Sequence, residues 1–146
     1  MIRILVVNGP NLNLLGRREP ELYGTVTLQE IEEEVRRYAE SQGAEVRFVQ
    51  SNHEGALIEA IHAAMGWADA IVINPAGFGR SIALRDAISG SGIPTVEVHL
   101  TNIHKREPFR RHTLISEVVE GQISGFGLES YRLGIQAVLG LINRKQ

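Results

Sequence analysis

The stretch that decides the fold is "ADAIVINPAGFGRSIALRDA", residues 68–87, where an apolar run leads into a glycine-rich turn and then a helical pattern. The run is short and rich in β-branched residues, as expected for a strand buried on both faces. A strand that passes directly through a turn into a helix is typical of α/β proteins with a parallel sheet. The turn also carries Arg80, at a position where such folds often bind an anion.

The same alternation extends along the chain. Further strands are predicted at residues 2–8, 45–50, 95–99 and 120–125, and further helices at 28–42, 54–65 and 128–144. Thr27 and Glu30 have the spacing of a capping box at the start of the first of these helices, and Gly43 follows its end. Five strands favour the flavodoxin-like order 2-1-3-4-5 with helices on both faces. Without an internal repeat or a linker, residues 1–146 are expected to form one domain.

Composition limits the possible functions. Fifteen basic and seventeen acidic residues give a net charge of -2, which argues against a nucleic-acid partner. The absence of cysteine excludes disulfides and thiol catalysis. The apolar run at the N-terminus is too short for a secretion signal or a membrane span. We therefore expect a soluble, cytoplasmic protein without a membrane partner.

One connection is much longer than this fold requires. Residues 9–26, "GPNLNLLGRREPELYGTV", are much longer than the usual ~2–6 residues of a βα loop. Long loops of this kind often close over a binding site. The segment is interpreted as a lid, with an ordinary surface loop as the alternative.

Polar residues follow three of the predicted strands. In doubly wound sheets, ligands bind beyond the carboxyl ends of the strands, so these residues are candidates for a site. Each asparagine taken alone is also a good turn former. Together they predict a polar crevice made of Asn8, Asn11, Asn13, Asn74, His99, Thr101 and Asn102.

Several cofactor chemistries are excluded by the sequence. The first predicted turn lacks G-x-G-x-x-G, and no P-loop occurs, which argues against dinucleotide and nucleoside triphosphate sites. The five histidines show no metal-binding spacing. The two lysines, Lys105 and Lys145, lie in a charged loop and in the tail, which argues against Schiff-base catalysis. No metal and no organic cofactor is expected.

The remaining possibility is proton-transfer chemistry on a small anion. Tyr23 shares its loop with Arg17 and Arg18. A tyrosine base needs a pKa about two or three units below its usual ~10, and a guanidinium within about 4–6 Å lowers a neighbouring pKa by that order. His99 is a candidate acid, since imidazole titrates near working pH. The alternative is that both arginines are solvated loop charges.

Five motifs resemble one family in the correct order, almost from end to end. They are "NGPNLNLLGRREPELYG", "QSNHEGALIEAIH", "NPAGF…SIALRDA", "VEVHLTNIHKREPFRRHT" and "GQISGFGLESYRLGIQAV". The chain thereby resembles type II 3-dehydroquinate dehydratases. The resemblance implies a flavodoxin-like fold and conversion of 3-dehydroquinate to 3-dehydroshikimate and water, without a metal or organic cofactor. It also implies a homo-oligomer built from trimers, commonly a dodecamer.

The resemblance assigns roles to matching positions. Tyr23 matches the base that removes a C2 proton, Arg18 the arginine that stabilises this base and the developing charge, and Asn11 the amide that holds a water against the enolate oxygen. His99 matches the acid that protonates the departing hydroxyl, and Glu97 is expected to orient it. Substrate-binding positions are matched by Asn74, Leu100, Thr101, Arg110 and Asp86, the last reaching the site of a neighbouring subunit.

The sequence departs from the family pattern in the glycine-rich turn that follows the predicted strand at residues 70–74. Residues 74–86 are one residue shorter than usual and lack a substrate-binding histidine, with Arg80 at or next to its place. Pro108 replaces a usual acidic residue. One hypothesis is a dehydratase in which Arg80 contacts the substrate; the other is an impaired or retuned homologue that binds a related carboxylic acid. A flavodoxin ranks last, since the chain has few aromatic residues.

Overall fold

The computed structural model describes residues 1–17 and 19–145, with the side chains of Tyr23 and Lys145 left out. Five parallel strands form one sheet in the order 2-1-3-4-5, which confirms the predicted flavodoxin-like fold. The strands are β1 (Ile2–Asn8), β2 (Ala44–Gln50), β3 (Ala70–Asn74), β4 (Thr95–His99) and β5 (Gly121–Ser124). The described α-helices are α1 (Pro20–Tyr23), α2 (Leu28–Ser41), α3 (Glu54–Ala64), α4 (Ile82–Ser91) and α5 (Leu128–Lys145).

The sheet is covered on both faces by helices. On β1, Ile4 and Val6 belong to the apolar core shared with α2 and α5, whereas Leu5 and Val7 belong to the core shared with α3 and α4. This alternation follows from the two-residue period of a strand. Because both faces are buried, a run of apolar residues is needed, and that run is the pattern from which the strands were predicted.

The start of α2 is fixed as its sequence predicts. The Thr27 hydroxyl accepts a hydrogen bond from the amide of Glu30 at 3.2 Å and donates one to the Glu30 carboxylate at 3.2 Å. Gly43 follows the helix with a φ of 77°, a conformation that glycine adopts without steric cost. Local signals therefore set both ends of this helix.

The carboxyl ends of β1 and β3 lie unusually close together. The amide of Gly9 donates a hydrogen bond to the carbonyl of Asn74 at 2.9 Å. A Cβ atom at position 9 would lie 2.2 Å from the carbonyl oxygen of Pro75, so only glycine fits. This contact brings the connections that follow the two strands against each other.

The connections at this edge of the sheet are built from short 3-10 helices, and residues 9–26 also contain α1. No helix within the described part of the chain has the length and apolar character to cross a membrane. The 3-10 helices are Leu12–Leu14 after β1, Ala76–Phe78 after β3, and Ile103–Lys105, Pro108–Arg110 and Ile115–Glu117 between β4 and β5.

Candidate active site

A cavity of about 360 Å³ opens at the carboxyl ends of β1, β3 and β4. The three connections that follow these strands supply its walls, at the place where the doubly wound fold predicts a ligand. The residues singled out in the sequence that line it are Asn11, Asn74, Arg80, His99, Leu100, Thr101 and Arg110.

Three predicted site residues are not placed in this cavity. Asp86 lies on α4 with an exposed carboxylate that pairs with Arg85 at 3.0 Å, and it is not among the described lining residues. Arg18 lies outside the described residues, and so does the side chain of Tyr23, whose backbone ends α1. Their proposed roles therefore rest on the resemblance of the sequence motifs.

The predicted crevice included three asparagines, Asn8, Asn13 and Asn102, that are not among the described lining residues of the cavity. The Asn102 side chain instead caps the next 3-10 helix by accepting the amide of His104 at 3.0 Å, and Asn13 accepts a hydrogen bond from Gln50 at 3.4 Å. For Asn102, the turn-forming role proposed as the alternative is the correct one.

His99 is held by a buried carboxylate on its own strand. Glu97 lies two residues earlier, so both side chains project from the same face of β4. His99 Nε2 is 2.5 Å from Glu97 Oε2, while the other ring nitrogen has no hydrogen bond to any residue that the structure describes. The pair therefore fixes the orientation of the imidazole and leaves one nitrogen for a ligand.

The Glu97 carboxylate is fully buried and accepts several hydrogen bonds. Thr113 donates to its two oxygens at 3.0 and 3.2 Å, and Ser116 donates to Oε1 at 2.6 Å. Burial alone raises the pKa of Glu97, but the bonds and charge from His99 and the hydroxyls of Ser116 and Thr113 outweigh it and hold the pKa below its usual value. The carboxylate thus stays ionised beside the imidazole.

Asn74 is oriented by Tyr131 of α5, a residue that the sequence did not point to as part of the site. The hydroxyl of Tyr131 donates to Asn8 Oδ1 at 2.6 Å and accepts from Asn74 Nδ2 at 3.1 Å. Asn74 Oδ1 in turn accepts the amide of Ala76 at 3.1 Å. Tyr131 is fully buried, and this burial raises its pKa, so the hydroxyl remains protonated. The amide of Asn74 is fixed, with one N–H left for a ligand.

A third arginine of the cavity wall, Arg106, was missed by the sequence reasoning. Arg106 lies between β4 and the predicted Arg110, and its side chain is only 11% exposed. It donates to the Thr101 hydroxyl at 3.4 Å and lies 3.8 Å from the carboxylates of Glu19 and Glu107. It therefore connects the loop after β1 to the loop after β4. The arginine-rich stretch after β4 was the signal that could have identified it.

The electrostatic character of the cavity is cationic. Arg80, Arg106 and Arg110 line it, and the described lining residues include no carboxylate. Glu97 lies behind His99 and is bonded to it, and Glu107 pairs with Arg110 at 3.0 Å. No group of three histidine, aspartate or glutamate side chains suited to a metal is found among the described residues. The cavity matches a small anion.

This arrangement defines a doubly wound α/β protein whose cavity places arginine side chains next to an oriented histidine. The family described as "Dehydroquinase class II" matches residues 2–139. The chain belongs to this family, which confirms the resemblance seen in the sequence motifs.

Named relatives match along nearly the whole chain. A 3-dehydroquinate dehydratase of Gloeobacter violaceus is 54% identical over 99% of this chain and 91% of its own length. One of Desulforudis audaxviator is 54% identical over 98% of this chain and 96% of its own. The crystal structure of a type II dehydroquinase from Butyrivibrio crossotus superposes with a TM-score of 0.92 at 42% identity, covering 94% of this chain and 97% of that one.

Proposed function

We propose that this protein is a cofactor-independent hydro-lyase that dehydrates 3-dehydroquinate to 3-dehydroshikimate in the shikimate or quinate pathway. The observation that carries the proposal is the similarity to relatives named 3-dehydroquinate dehydratase over almost the full length of both chains. The cationic cavity around His99 is consistent with a carboxylated substrate. The similarity favours a working dehydratase over an impaired or retuned homologue.

The reaction divides between a base and an acid. Tyr23, assisted by Arg18, removes a proton from C2 of the substrate and leaves an enolate, and Asn11 holds a water against the enolate oxygen. His99 then protonates the hydroxyl that departs from C1, so one water is released and the C1–C2 double bond forms. The hydrogen bond with Glu97 supports this role for His99, because it holds the ring in one orientation at the cavity wall.

Binding is assigned to the remaining predicted residues. Asn74, Leu100, Thr101 and Arg110 hold the substrate ring, its hydroxyls and its carboxylate. The support is that all four line the cavity and that Asn74 is fixed by Tyr131. A preorganised amide binds without the cost of ordering a free side chain.

Asp86 suggests an assembly. Its motif matches a substrate-binding position, yet the carboxylate is 63% exposed and lies outside the cavity of its own chain. Binding a substrate with Asp86 therefore requires a second subunit. We propose a trimer-based homo-oligomer, a dodecamer in its complete form, that works in the cytoplasm. Each subunit is one domain over residues 1–146, and residues 9–26 close over the site.

The test of this function is direct. Purified protein is incubated with 3-dehydroquinate, and the conjugated enone of 3-dehydroshikimate is followed by ultraviolet absorbance across pH. We expect turnover without added cofactor, and its loss in a His99→Asn variant. Binding of 3-dehydroquinate by the unmodified protein without turnover would contradict the proposal and favour a binding module.

A further inference from the structure

Arg80 is the cation of the cavity wall that has no partner among the described residues. Arg106 and Arg110 are both paired with glutamates, whereas Arg80 makes no hydrogen bond or ion pair to any residue in the described ranges. Its side chain is exposed and lines the cavity. A guanidinium in this state keeps its full charge and all five N–H donors available.

The backbone on both sides of Arg80 is firmly held. The carbonyl of Gly79 accepts hydrogen bonds from the amides of Leu114 at 2.8 Å and Ile115 at 3.5 Å. On the other side, the Ser81 hydroxyl accepts the amide of Leu84 at 2.9 Å and donates to Glu54 at 2.5 Å. The residues before and after Arg80 are therefore tied to separate elements. Its position at the cavity is fixed although its side chain is free.

We infer that Arg80 is an affinity-determining residue that captures the negatively charged substrate at the mouth of the cavity. This inference rests on the proposed function and names the charge that the shortened turn supplies to that site. An exposed charge attracts a carboxylate over a distance of roughly the Debye length, about 8–10 Å at moderate salt, and added salt screens this attraction. Arg80 therefore acts on KM and not on the chemical step, which His99 serves.

The experiment compares salt dependence in matched variants. Arg80→Gln removes the charge and keeps a hydrogen-bond donor, while Arg80→Lys keeps the charge and loses the planar fork. Arg37→Gln is the control, because it removes the same charge from α2, where the side chain is 71% exposed and pairs with Glu34. The values of kcat and KM are measured for all four proteins at low and at high sodium chloride concentration.

The expected result separates binding from chemistry. At low salt, Arg80→Gln raises KM by about tenfold and leaves kcat within about twofold, because screened charge attraction acts on capture. At high salt, the difference in KM between Arg80→Gln and the unmodified protein becomes smaller. The KM of Arg80→Lys lies between these two proteins, and the KM of Arg37→Gln equals that of the unmodified protein. An unchanged KM in Arg80→Gln overturns the inference, and so does a loss of kcat at constant KM.

A second measurement makes the inference independent of turnover. Citrate, a polycarboxylate that does not react, is titrated into the unmodified protein and Arg80→Gln by calorimetry. Weaker citrate binding in the variant supports capture of negative charge by Arg80, and equal binding overturns it. If the unmodified protein fails to dehydrate 3-dehydroquinate, the proposed function fails, and the citrate titration still decides the role of Arg80. Thermal melting verifies that the variant is folded.

Discussion

The connections after β1 and β3 approach the same cavity but are held in opposite ways. Residues 74–81 are tied at three points: the backbone bond between Gly9 and Asn74, the Gly79 carbonyl and the Ser81 side chain. The connection after β1 is different from Leu14 onwards. Its described hydrogen bonds join residues close in sequence, such as the bond from the amide of Arg17 to the carbonyl of Leu14. The ion pair between Glu19 and Arg106, at 3.8 Å, is the described long-range link of that part.

The difference separates two tasks. A short, multiply anchored turn holds Arg80 and Asn74 in place before a ligand arrives, which lowers the entropy lost on binding. A long loop with few tertiary hydrogen bonds loses little when it moves, and loops of this kind often close over a substrate. The proposed base, Tyr23, is on the long loop, and the proposed acid, His99, is on a strand. Closure of the loop would therefore complete the catalytic pair.

The largest expected effect comes from Tyr23→Phe. Removing the proposed base lowers kcat by about 10³-fold, within the usual 10²–10⁴-fold range of acid–base catalysis, and leaves the thermal stability unchanged. Activity is followed by enone absorbance and substrate affinity by calorimetry. Tyr38→Phe, the same change on α2, is the control and keeps full activity. Comparable turnover in Tyr23→Phe would remove this residue from the mechanism.

Gly9→Ala tests the point where the two connections touch. A Cβ atom 2.2 Å from the Pro75 carbonyl oxygen forces the ends of β1 and β3 apart, and we expect a loss of about 3 kcal/mol in the free energy of unfolding. Urea denaturation measures this loss. Gly77→Ala is the control, since its Cβ would meet Pro10 at 3.6 Å, an ordinary contact. Equal stability of the two variants would show that the contact is not rigid.

Tyr131→Phe tests the anchor of Asn74 from inside the core. The variant leaves Asn8 Oδ1 without the hydroxyl donor that it has in the fold, and we expect a loss of about 2 kcal/mol in the free energy of unfolding. It also removes one of the two hydrogen bonds that fix the amide of Asn74, so KM rises. The contrast with Tyr23→Phe is sharp, because one hydroxyl serves chemistry and the other serves structure. Unchanged stability and KM would refute this assignment.

The smallest expected effect is a change in pH dependence. The pKa of Glu97 in the fold lies below its usual value of 4.5, so the ionised carboxylate stabilises the folded protein. This contribution is complete above the unfolded pKa and is lost as pH falls through the folded pKa. Glu97→Gln therefore flattens the dependence of the urea midpoint on pH between about 5 and 3. Glu45→Gln, at a half-buried position on β2, keeps the original slope. Equal slopes in both variants would contradict the assignment.

The fold was predictable because each strand of this sheet carries its own signal. The central strands β1, β3 and β4 are buried on both faces, so their residues are mostly apolar in sequence, whereas the edge strands β2 and β5 are partly exposed. The helices between the strands show a 3.6-residue period. Predicted strands 2–8, 70–74 and 95–99 agree with β1, β3 and β4 in both bounds. The strand order 2-1-3-4-5 followed from the number of strands and the family motifs.

From the fold rule alone, the candidate site was predictable at the residues that end a strand, while Arg110 came from the family motifs. Asn74 and His99 end β3 and β4, and the fold rule places them at the cavity. Tyr131 contacts Asn74 across 57 positions of sequence, and its helical spacing shows an apolar role without revealing the hydroxyl bond. Arg106 and the turn-forming Asn102 look alike in sequence, as polar residues after β4. Which of them lines the cavity depends on how that connection folds.

The two-residue register of β4 has a consequence for how this enzyme family can change length. Glu97 and His99 must stay on one face of the sheet. An insertion or deletion of one residue between them would place one of the two side chains on the opposite face, in the other apolar core. The turn before α4 is not bound by a two-residue register. Gly79 and Ser81 hold it through hydrogen bonds to neighbouring elements, and no strand pairing is involved at these two residues. The length and charge of the turn can therefore differ while β4, which carries the proposed acid His99, keeps its length.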